Sequence, residues 1–465
     1  MPSGKEVSAV LGHIDLHLSS SVERLFALLR IPSVSSHPDR AANCAQAASW
    51  LCDTLAAMGL AARVCATAGH PVVVAQHRCG GIGPRVLFYG HYDVQPAEPL
   101  ELWTYPPFEP RLIDGPHGKR ITARGAVDDK GQVLMFLEAL RAWKEAGSGI
   151  PVEVTVLLEG EEEVGSPNLE PFLRANRDLL SADTVLISDT GMWDIDTPAI
   201  TTRLRGLAYV QLTLKGPTRD LHSGLFGGSA LNPVNALTCI LGALHDANGR
   251  VQVPAFYDDV RELPPEQVRE WDALGFDEQA FLNAIGLSDP AGERDRPPLQ
   301  RLWARPTADI NGIWGGYTGP GAKTIIPAEA SAKLSFRLVP DQDPEAIFAG
   351  LKRFVAERLP GDARVEYEVF TGAPAIAVPT DTPWVRAARA ALMEEYGRSP
   401  VMMGCGGSIP IVDAIKRVLG LDSVLMGFGL DGDQVHSPNE KFELRCFHHG
   451  IRSHARLLGH LAGVA

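Results

Sequence analysis

An acidic segment directly follows one strongly apolar run, and this pairing restricts the folds open to the chain. Residues 152–158 predict a buried strand, because they are mostly apolar and lie between Pro151 and Gly160. Residues 159–163 then supply four carboxylates. Open α/β sheets bind ligands at the carboxyl ends of their strands. Because crowded carboxylates are unfavourable unless water or a cation compensates them, the segment is either a solvated turn or a cation site.

Histidine and aspartate residues recur where other predicted strands give way to loops. His91 and Asp93 follow a strand at 85–90, and Asp189 follows a strand at 183–188. Asp128 lies just before a helix of about 131–145. Since strands and helices alternate here, the fold prediction is an α/β domain whose mixed sheet is covered by helices on both faces.

A second pattern begins near residue 205. It consists of four strands and two helices, predicted near 208–214, 232 onward, 309–314, 330–339, 343–358 and 363–370. A polar, Pro-rich interval of about 250–306 lies within it. The order β-α-β-β-α-β predicts an inserted ferredoxin-like α+β domain. We therefore predict a discontinuous catalytic, metal-binding domain, residues 1–204 and 378–465, and an inserted domain, residues 205–377.

Composition excludes some partners and suggests a compartment. The 465 residues contain 43 Lys and Arg against 56 Asp and Glu, a net charge of −13, which argues against nucleic acid or an anionic membrane as partner. The amino-terminal residues do not resemble a signal peptide, and no apolar run approaches the roughly 20 residues of a membrane helix. Seven scattered cysteines without a C-x-x-C pair are typical of reduced thiols. We expect a cytoplasmic protein.

The residues at strand ends together have the composition of a metal centre. Each alone has an ordinary explanation, such as a surface histidine or an aspartate that caps a helix. Two imidazoles and three carboxylates can hold two divalent ions if one carboxylate bridges, and nitrogen and oxygen ligands without cysteine fit Zn²⁺, with Mn²⁺ or Co²⁺ as alternatives. Spacing does not decide which acid of 161–163 has which role. The candidates are His91, Asp93, Asp128, Glu162, Glu163, Asp189 and His436.

These motifs resemble those of the dinuclear metallopeptidase family of aminoacylase, carnosinase (cytosolic non-specific dipeptidase) and carboxypeptidase G. The resemblance covers nearly the whole chain, and the interval 250–306 is similar to the dipeptidase branch. It implies a zinc-exopeptidase-like catalytic domain with an inserted ferredoxin-like dimerisation or lid domain. The matching segments are 90–93, 124–131, 159–166, 188–189, 220–224, 406–410 and 436–441.

The resemblance also implies roles for the strand-end residues. His91, Asp128 and Asp189 hold one ion, and Asp128 bridges to a second ion held by Glu163 and His436. Glu162 is the general base, which takes a proton from the attacking water and passes it to the leaving amine. Asp93 hydrogen-bonds the second nitrogen of the His91 imidazole and fixes its tautomer.

Further residues are implied for the substrate. Arg337 is the cation that pairs with a free carboxylate, since a guanidinium can bind it in a bidentate manner. Thr324, Gly407 and Ser408 line the terminal region of the substrate. His222 acts across the interface of a homodimer, formed through the inserted domain, and stabilises the oxyanion. Family members commonly have a charged pair where this chain has Gly404-Cys405.

The favoured function is a metal-dependent hydrolase, with two divalent ions per chain, that cleaves the amide bond of dipeptides or short peptides with a free C-terminal carboxylate. The alternative within the same chemistry is an N-acyl amino acid deacylase. The two differ in whether the pocket accepts a charged α-amine. A catalytically inactive binding protein is a third hypothesis, against which Glu162 argues, because metal binding alone has no need of that acid.

Overall fold

The chain divides into two compact units in the computed structural model, which describes residues 2–80, 83–407 and 409–464. The first unit comprises Met1–Thr202, Val378–Met403 and Pro410–Ala465, and the second comprises Arg203–Ala377 and Gly404–Ile409. No helix among the described residues is both long and apolar enough to cross a membrane.

Strands and helices alternate through most of the chain. The strands are β1 (Ala61–Cys65), β2 (Val72–His77), β3 (Arg85–His91), β4 (Arg111–Gly115), β5 (Gly118–Thr122), β6 (Glu153–Glu159), β7 (Thr184–Ile187), β8 (Ala199–Leu204), β9 (Gly206–Lys215), β10 (Leu221–His222), β11 (Thr307–Gly315), β12 (Ile325–Ile326), β13 (Glu329–Leu338), β14 (Arg364–Ala373), β15 (Ile376–Ala377), β16 (Val401–Cys405), β17 (Ser423–Leu425) and β18 (Lys441–Glu443). The helices are α1 (Gly4–Leu29), α2 (Ala41–Ala57), α3 (Lys130–Ala146), α4 (Leu169–Ala175), α5 (Ser223–Phe226), α6 (Pro233–Gly242), α7 (Pro265–Asp272), α8 (Glu278–Ala284), α9 (Pro298–Trp303), α10 (Pro344–Ala356), α11 (Pro383–Tyr396), α12 (Pro410–Leu419) and α13 (Leu444–Leu461).

The first unit is built on a mixed sheet. Its strand order is β1-β2-β6-β3-β7-β17-β8. Strand β3 runs parallel to β6 and β7, and β17 runs parallel to β7, whereas β1, β2 and β8 pair antiparallel. The carboxyl ends of the central strands therefore meet at one edge of the sheet.

Apolar side chains cover both faces of these central strands. Phe88 and Val156 belong to the core that packs against α3, α13 and α1. Their neighbours Leu87 and Leu157 face the other way along the strands and are equally buried. The predicted mixed α/β architecture is confirmed.

The second unit contains a four-stranded antiparallel sheet of order β11-β13-β9-β14. Helices α6 and α10 contribute to its core with Phe336 and Leu212. Alternate residues of β9 are buried, and the residues between them are half-buried. The Pro-rich interval contains three short helices, α7 to α9, in which Trp271 and Trp303 pack edge to face at 5.0 Å.

A small sheet of β18, β5 and β4, also in the first unit, has no counterpart in the sequence prediction. Lys441 of β18 pairs with Thr122 of β5. This sheet joins the segment after His436 to the segment before Asp128.

Candidate metal centre

The parallel strands place the predicted site residues at one edge of the first unit's sheet. His91 ends β3 and lies in register with Glu159, the last residue of β6. Asp189 follows the end of β7 by two residues. Gly90 allows the turn before α3 to approach β3, because a Cβ at this position would lie 2.9 Å from Asp129 Oδ2 and 2.5 Å from Val133 Cγ2. That turn carries Asp128.

Asp128 lies between two histidines. One carboxylate oxygen, Oδ1, is 3.2 Å from His91 Nε2, and the other, Oδ2, is 2.9 Å from His436 Nε2. His91 Nε2 also lies 3.9 Å from Asp189 Oδ2, and His436 Nε2 lies 3.2 Å from Glu163 Oε2. All five predicted metal ligands are therefore within a few ångströms of a neighbour in the same cluster.

The donor atoms fit divalent metal ions. Among the described residues, His91 Nε2 and Glu163 Oε1 are buried and have no hydrogen-bond partner. Ligand atoms of His91, Asp128 and Glu163 lie within 4.8 Å of one another. Buried polar atoms left unpaired are costly, and imidazole with carboxylate is a donor set suited to Zn²⁺. The cluster thus has the composition and the unsatisfied atoms of a metal site.

Protonation of the cluster leads to the same conclusion. Burial raises the pKa of Asp189 to about 7, and the charge of Asp128 adds to this effect. Burial also raises the pKa of Glu162 well above its ordinary value, with a further contribution from Asp189. Hydrogen bonds to Asp128 and Glu163 raise the pKa of His436 to about 10. Without cations the cluster retains protons to balance its carboxylates, and divalent ions would replace those protons.

Asp93 is fully buried, and its contacts differ in part from the sequence prediction. The His91 Nδ1 atom lies 3.1 Å from the backbone oxygen of Asp93 and 3.4 Å from its carboxylate Oδ1. The carboxylate itself accepts hydrogen bonds from the backbone amides of Glu162 (3.2 Å) and Glu163 (3.1 Å). Asp93 therefore binds both the imidazole and the turn that carries two other site residues.

The side chains of Glu161 and Glu163 bind different partners. Glu161 accepts hydrogen bonds from Asn168 Nδ2 at 3.1 and 2.8 Å. Glu163 Oε2 accepts one from Gln95 Nε2 at 2.8 Å. Sequence reasoning missed Gln95, whose only signal is its position four residues after His91. The partner of Glu161 thus separates this acid from the cluster, a distinction that spacing could not make.

Four of the five predicted substrate residues lie in the second unit. The fifth, Ser408, is outside the described residues. Arg337 is half-buried on β13, in register with Thr307 and Leu207. His222 is in register with Ile325 in the β10–β12 pair, and the adjacent backbone oxygen of Thr324 accepts a hydrogen bond from Ser223 N at 3.1 Å.

The glycines of the 404–407 segment have specific contacts within the second unit. The backbone oxygen of Gly407 accepts a hydrogen bond from Arg205 N at 3.1 Å. A Cβ at Gly404 would lie 2.5 Å from Trp303 Cβ. Trp303 therefore leaves no room for a side chain at position 404 in this arrangement.

Comparisons with known proteins point to one peptidase family. The profile of peptidase family M20/M25/M40 matches residues 87–460. A Cys-Gly metallodipeptidase of Schizosaccharomyces pombe is 33% identical over 401 residues, covering 85% of this chain and 83% of that protein. The Beta-Ala-His dipeptidase of Homo sapiens is 32% identical over 377 residues, covering 80% and 73%.

A solved structure gives the same result for the fold. The M20 family metallo-carboxypeptidase Sso-CP2 from Sulfolobus solfataricus superimposes with a TM-score of 0.85 and 32% identity, covering 96% of this chain and 99% of that one. The resemblance stated from the motifs is confirmed. Because the family profile spans most of the chain and its relatives share about a third of its residues, this chain is a metallopeptidase of peptidase family M20/M25/M40.

Proposed function

We propose that the chain is a metal-dependent dipeptidase, which hydrolyses the amide bond of dipeptides or short peptides with a free C-terminal carboxylate. The observation that carries the proposal is the position of Asp128 between His91 and His436, at 3.2 and 2.9 Å. Two relatives at 32–33% identity are dipeptidases by name, which favours a peptide substrate over an N-acyl amino acid.

The distances support an assignment in which His91, Asp128 and Asp189 would hold one ion. Asp128 also serves a second ion, held with Glu163 and His436. Zn²⁺ suits these ligands, and Mn²⁺ or Co²⁺ could replace it. Such a pair supplies Lewis acidity toward water and the scissile carbonyl.

Glu162 is the proposed general base. Its backbone amide is held by Asp93, and its carboxyl group belongs to the same charged cluster as Asp189 and Glu163. From this position the carboxylate takes a proton from the attacking water and gives it to the amine of the leaving group. In a neutral His91, donation from Nδ1 to the Asp93 backbone oxygen would leave Nε2 free to bind a metal.

The second unit is the proposed substrate and dimerisation domain. Its sheet order and its two core helices support a ferredoxin-like insertion at about 205–377. Exposed apolar side chains on β11 and β14, among them Trp314 and Phe370, support a homodimer formed through this domain. Arg337 would pair with the terminal carboxylate, and Thr324, Gly407 and Ser408 would line the terminal region of the substrate.

A cytoplasmic location is part of the same proposal. The free thiols of Cys44 and Cys446, both buried in the first unit, support a reducing compartment.

The decisive experiment compares the wild type with Glu162→Gln on a panel of dipeptides and N-acyl amino acids, after metals are stripped and restored. We expect the wild type to hydrolyse dipeptides and the variant to lose at least about 1,000-fold in kcat while it retains two metal ions per chain. Unchanged turnover in the variant would remove Glu162 as the base. Hydrolysis of N-acyl amino acids without dipeptides would favour a deacylase.

The role of His222 requires a mixing experiment. His222→Ala should lower kcat without metal loss, because the residue is assigned to the oxyanion and not to the metals. Co-refolding this variant with Glu162→Gln should restore part of the activity, since one of the two sites in a hybrid dimer would then be complete. If the mixture is as inactive as its components, His222 does not act across subunits.

A further inference from the structure

Glu440 lies four residues after His436 and is fully buried. Its carboxylate accepts four hydrogen bonds from the segment that ends at Asp128. The donors are Arg124 Nη1 (2.8 Å), Gly125 N (2.8 Å), Val127 N (3.0 Å) and Asp128 N (3.2 Å). One of the two oxygens, Oε1, binds the last two amides, so the contact reaches the residue that lies between the two histidines.

The backbone at Glu440 and Lys441 also bonds to the segment that leads to Asp128. The backbone oxygen of Glu440 accepts hydrogen bonds from Ala123 N and Thr122 Oγ1, both at 3.2 Å. Lys441 then continues into the β18–β5 pairing. Gly125 has a φ of 81°, in the left-handed region that favours glycine, so the course of this turn depends on a glycine there.

The pattern of partners differs from that of an ordinary buried ion pair. All four partners are donors, which only an ionised carboxylate can satisfy fully. Arg124 supplies the compensating charge and also donates to the backbone oxygen of Pro96 at 3.2 Å. The other three bonds satisfy the remaining lone pairs of the buried carboxylate, and they also bind the backbone that carries Asp128.

We propose that Glu440 is a positioning residue of the metal centre, which holds Asp128 and His436 in register by binding the amides of one segment from the other. This inference rests on the proposed metal ligands. Glu440 would not contact the metal itself. Its loss would weaken metal binding because Asp128 and His436 would no longer be held in their relative positions.

The test measures Zn²⁺ affinity in the full-length, metal-stripped chain, by competition with a chelating indicator and without any peptide. Glu440→Gln places an amide NH₂ against backbone donors, and we expect affinity to fall by about 10–100-fold. Glu138→Gln is the matched control. Glu138 is also a buried carboxylate, bonded to Arg24 Nε and Ser21 Oγ at 2.7 Å, and lies on α3, the helix that follows Asp128.

Both variants should melt at a lower temperature than the wild type, but only Glu440→Gln should bind Zn²⁺ more weakly. Equal Zn²⁺ affinity in Glu440→Gln and the wild type would overturn the proposal, as would an equal loss in Glu138→Gln. If Glu440→Gln is insoluble, Glu440→Asp keeps the charge beside Arg124 but draws the carboxylate back from the amides of Val127 and Asp128 by one methylene, and unchanged affinity in that variant would equally count against the proposal.

The result is separable from that of the proposed function. Weaker Zn²⁺ binding in Glu440→Gln supports the positioning role even if the wild type hydrolyses no dipeptide, in which case the substrate proposal alone fails. Normal Zn²⁺ binding in Glu440→Gln beside a wild type that hydrolyses dipeptides refutes the positioning role alone.

Discussion

Replacement of Asp93 by asparagine tests how the turn with Glu162 and Glu163 is held. The two carboxylate oxygens of Asp93 each accept one backbone amide, at 3.2 and 3.1 Å. Asparagine retains one acceptor oxygen and turns its NH₂ group toward the other amide. One hydrogen bond to a charged acceptor is lost, and a buried donor is left without a partner.

The size of the effect follows from these two terms. A hydrogen bond to a charged group contributes about 1.5–3 kcal/mol, and an unsatisfied buried donor costs about 1–3 kcal/mol. If about 2–4 kcal/mol of this sum is lost from transition-state stabilisation, kcat/KM for a dipeptide falls by about 30–1,000-fold, since 1.36 kcal/mol corresponds to a factor of ten.

The assay measures kcat and KM together with metal content, after Zn²⁺ is restored. Glu161→Gln is the matched control, because it removes one negative charge from the turn that Asp93 holds, whereas the carboxylate of Glu161 accepts its hydrogen bonds from Asn168. We expect Glu161→Gln to stay within about threefold of the wild type. A comparably small change in a fully metallated Asp93→Asn protein would refute the reasoning.

Two further predictions concern the metals and acid stability. Removal of metals by a chelator should abolish hydrolysis and lower the melting temperature, and added Zn²⁺ should reverse both effects. The reason is that free Zn²⁺ at 1,000 times its Kd would stabilise the fold by about 4 kcal/mol. An unchanged melting temperature would contradict this prediction. Despite its burial, Glu395 has its pKa lowered from 4.5 to about 2 by hydrogen bonds with His449, Arg452 and Arg456. The pKa of Glu395 is thus lower in the folded state than in the unfolded state. Its contribution to the free energy of unfolding is therefore present above pH 4.5 and is lost as the pH falls toward 2. Glu395→Gln should remove up to about 3 kcal/mol at neutral pH, and denaturant titrations should show a flatter pH dependence in this range.

The proximity of the candidate ligands was predictable because the pattern is visible along the sequence. His91 and Asp189 follow apolar runs of the length of a strand, and parallel strands bring such ends together. The distances between His91, Asp128 and His436 agree with the predicted ligand groups. Short apolar runs with alternating helices were likewise enough to predict a mixed α/β fold.

Other features depend on packing that no local pattern reveals. The helices α7 to α9 are short and lie among prolines, so their periodicity is weak, and Trp271 and Trp303 stabilise them only by meeting in space. The requirement for glycine at 404 arises from Trp303, about a hundred residues away. Similarly, the pairing of β18 with β5 joins segments more than 300 residues apart.

The hydrogen-bond partners of Asp93 and Glu440 were harder to predict than the candidate metal ligands, because both carboxylates bind backbone groups. A ligand must have a particular side chain, and that requirement is visible in a sequence. Asp93 and Glu440 instead bind amides that every residue except proline carries, so their partners leave no mark in the sequence. In this site the two carboxylates bind the backbone amides of Glu162, Glu163 and Asp128. The main chain of three candidate site residues is therefore held by hydrogen bonds to these two carboxylates.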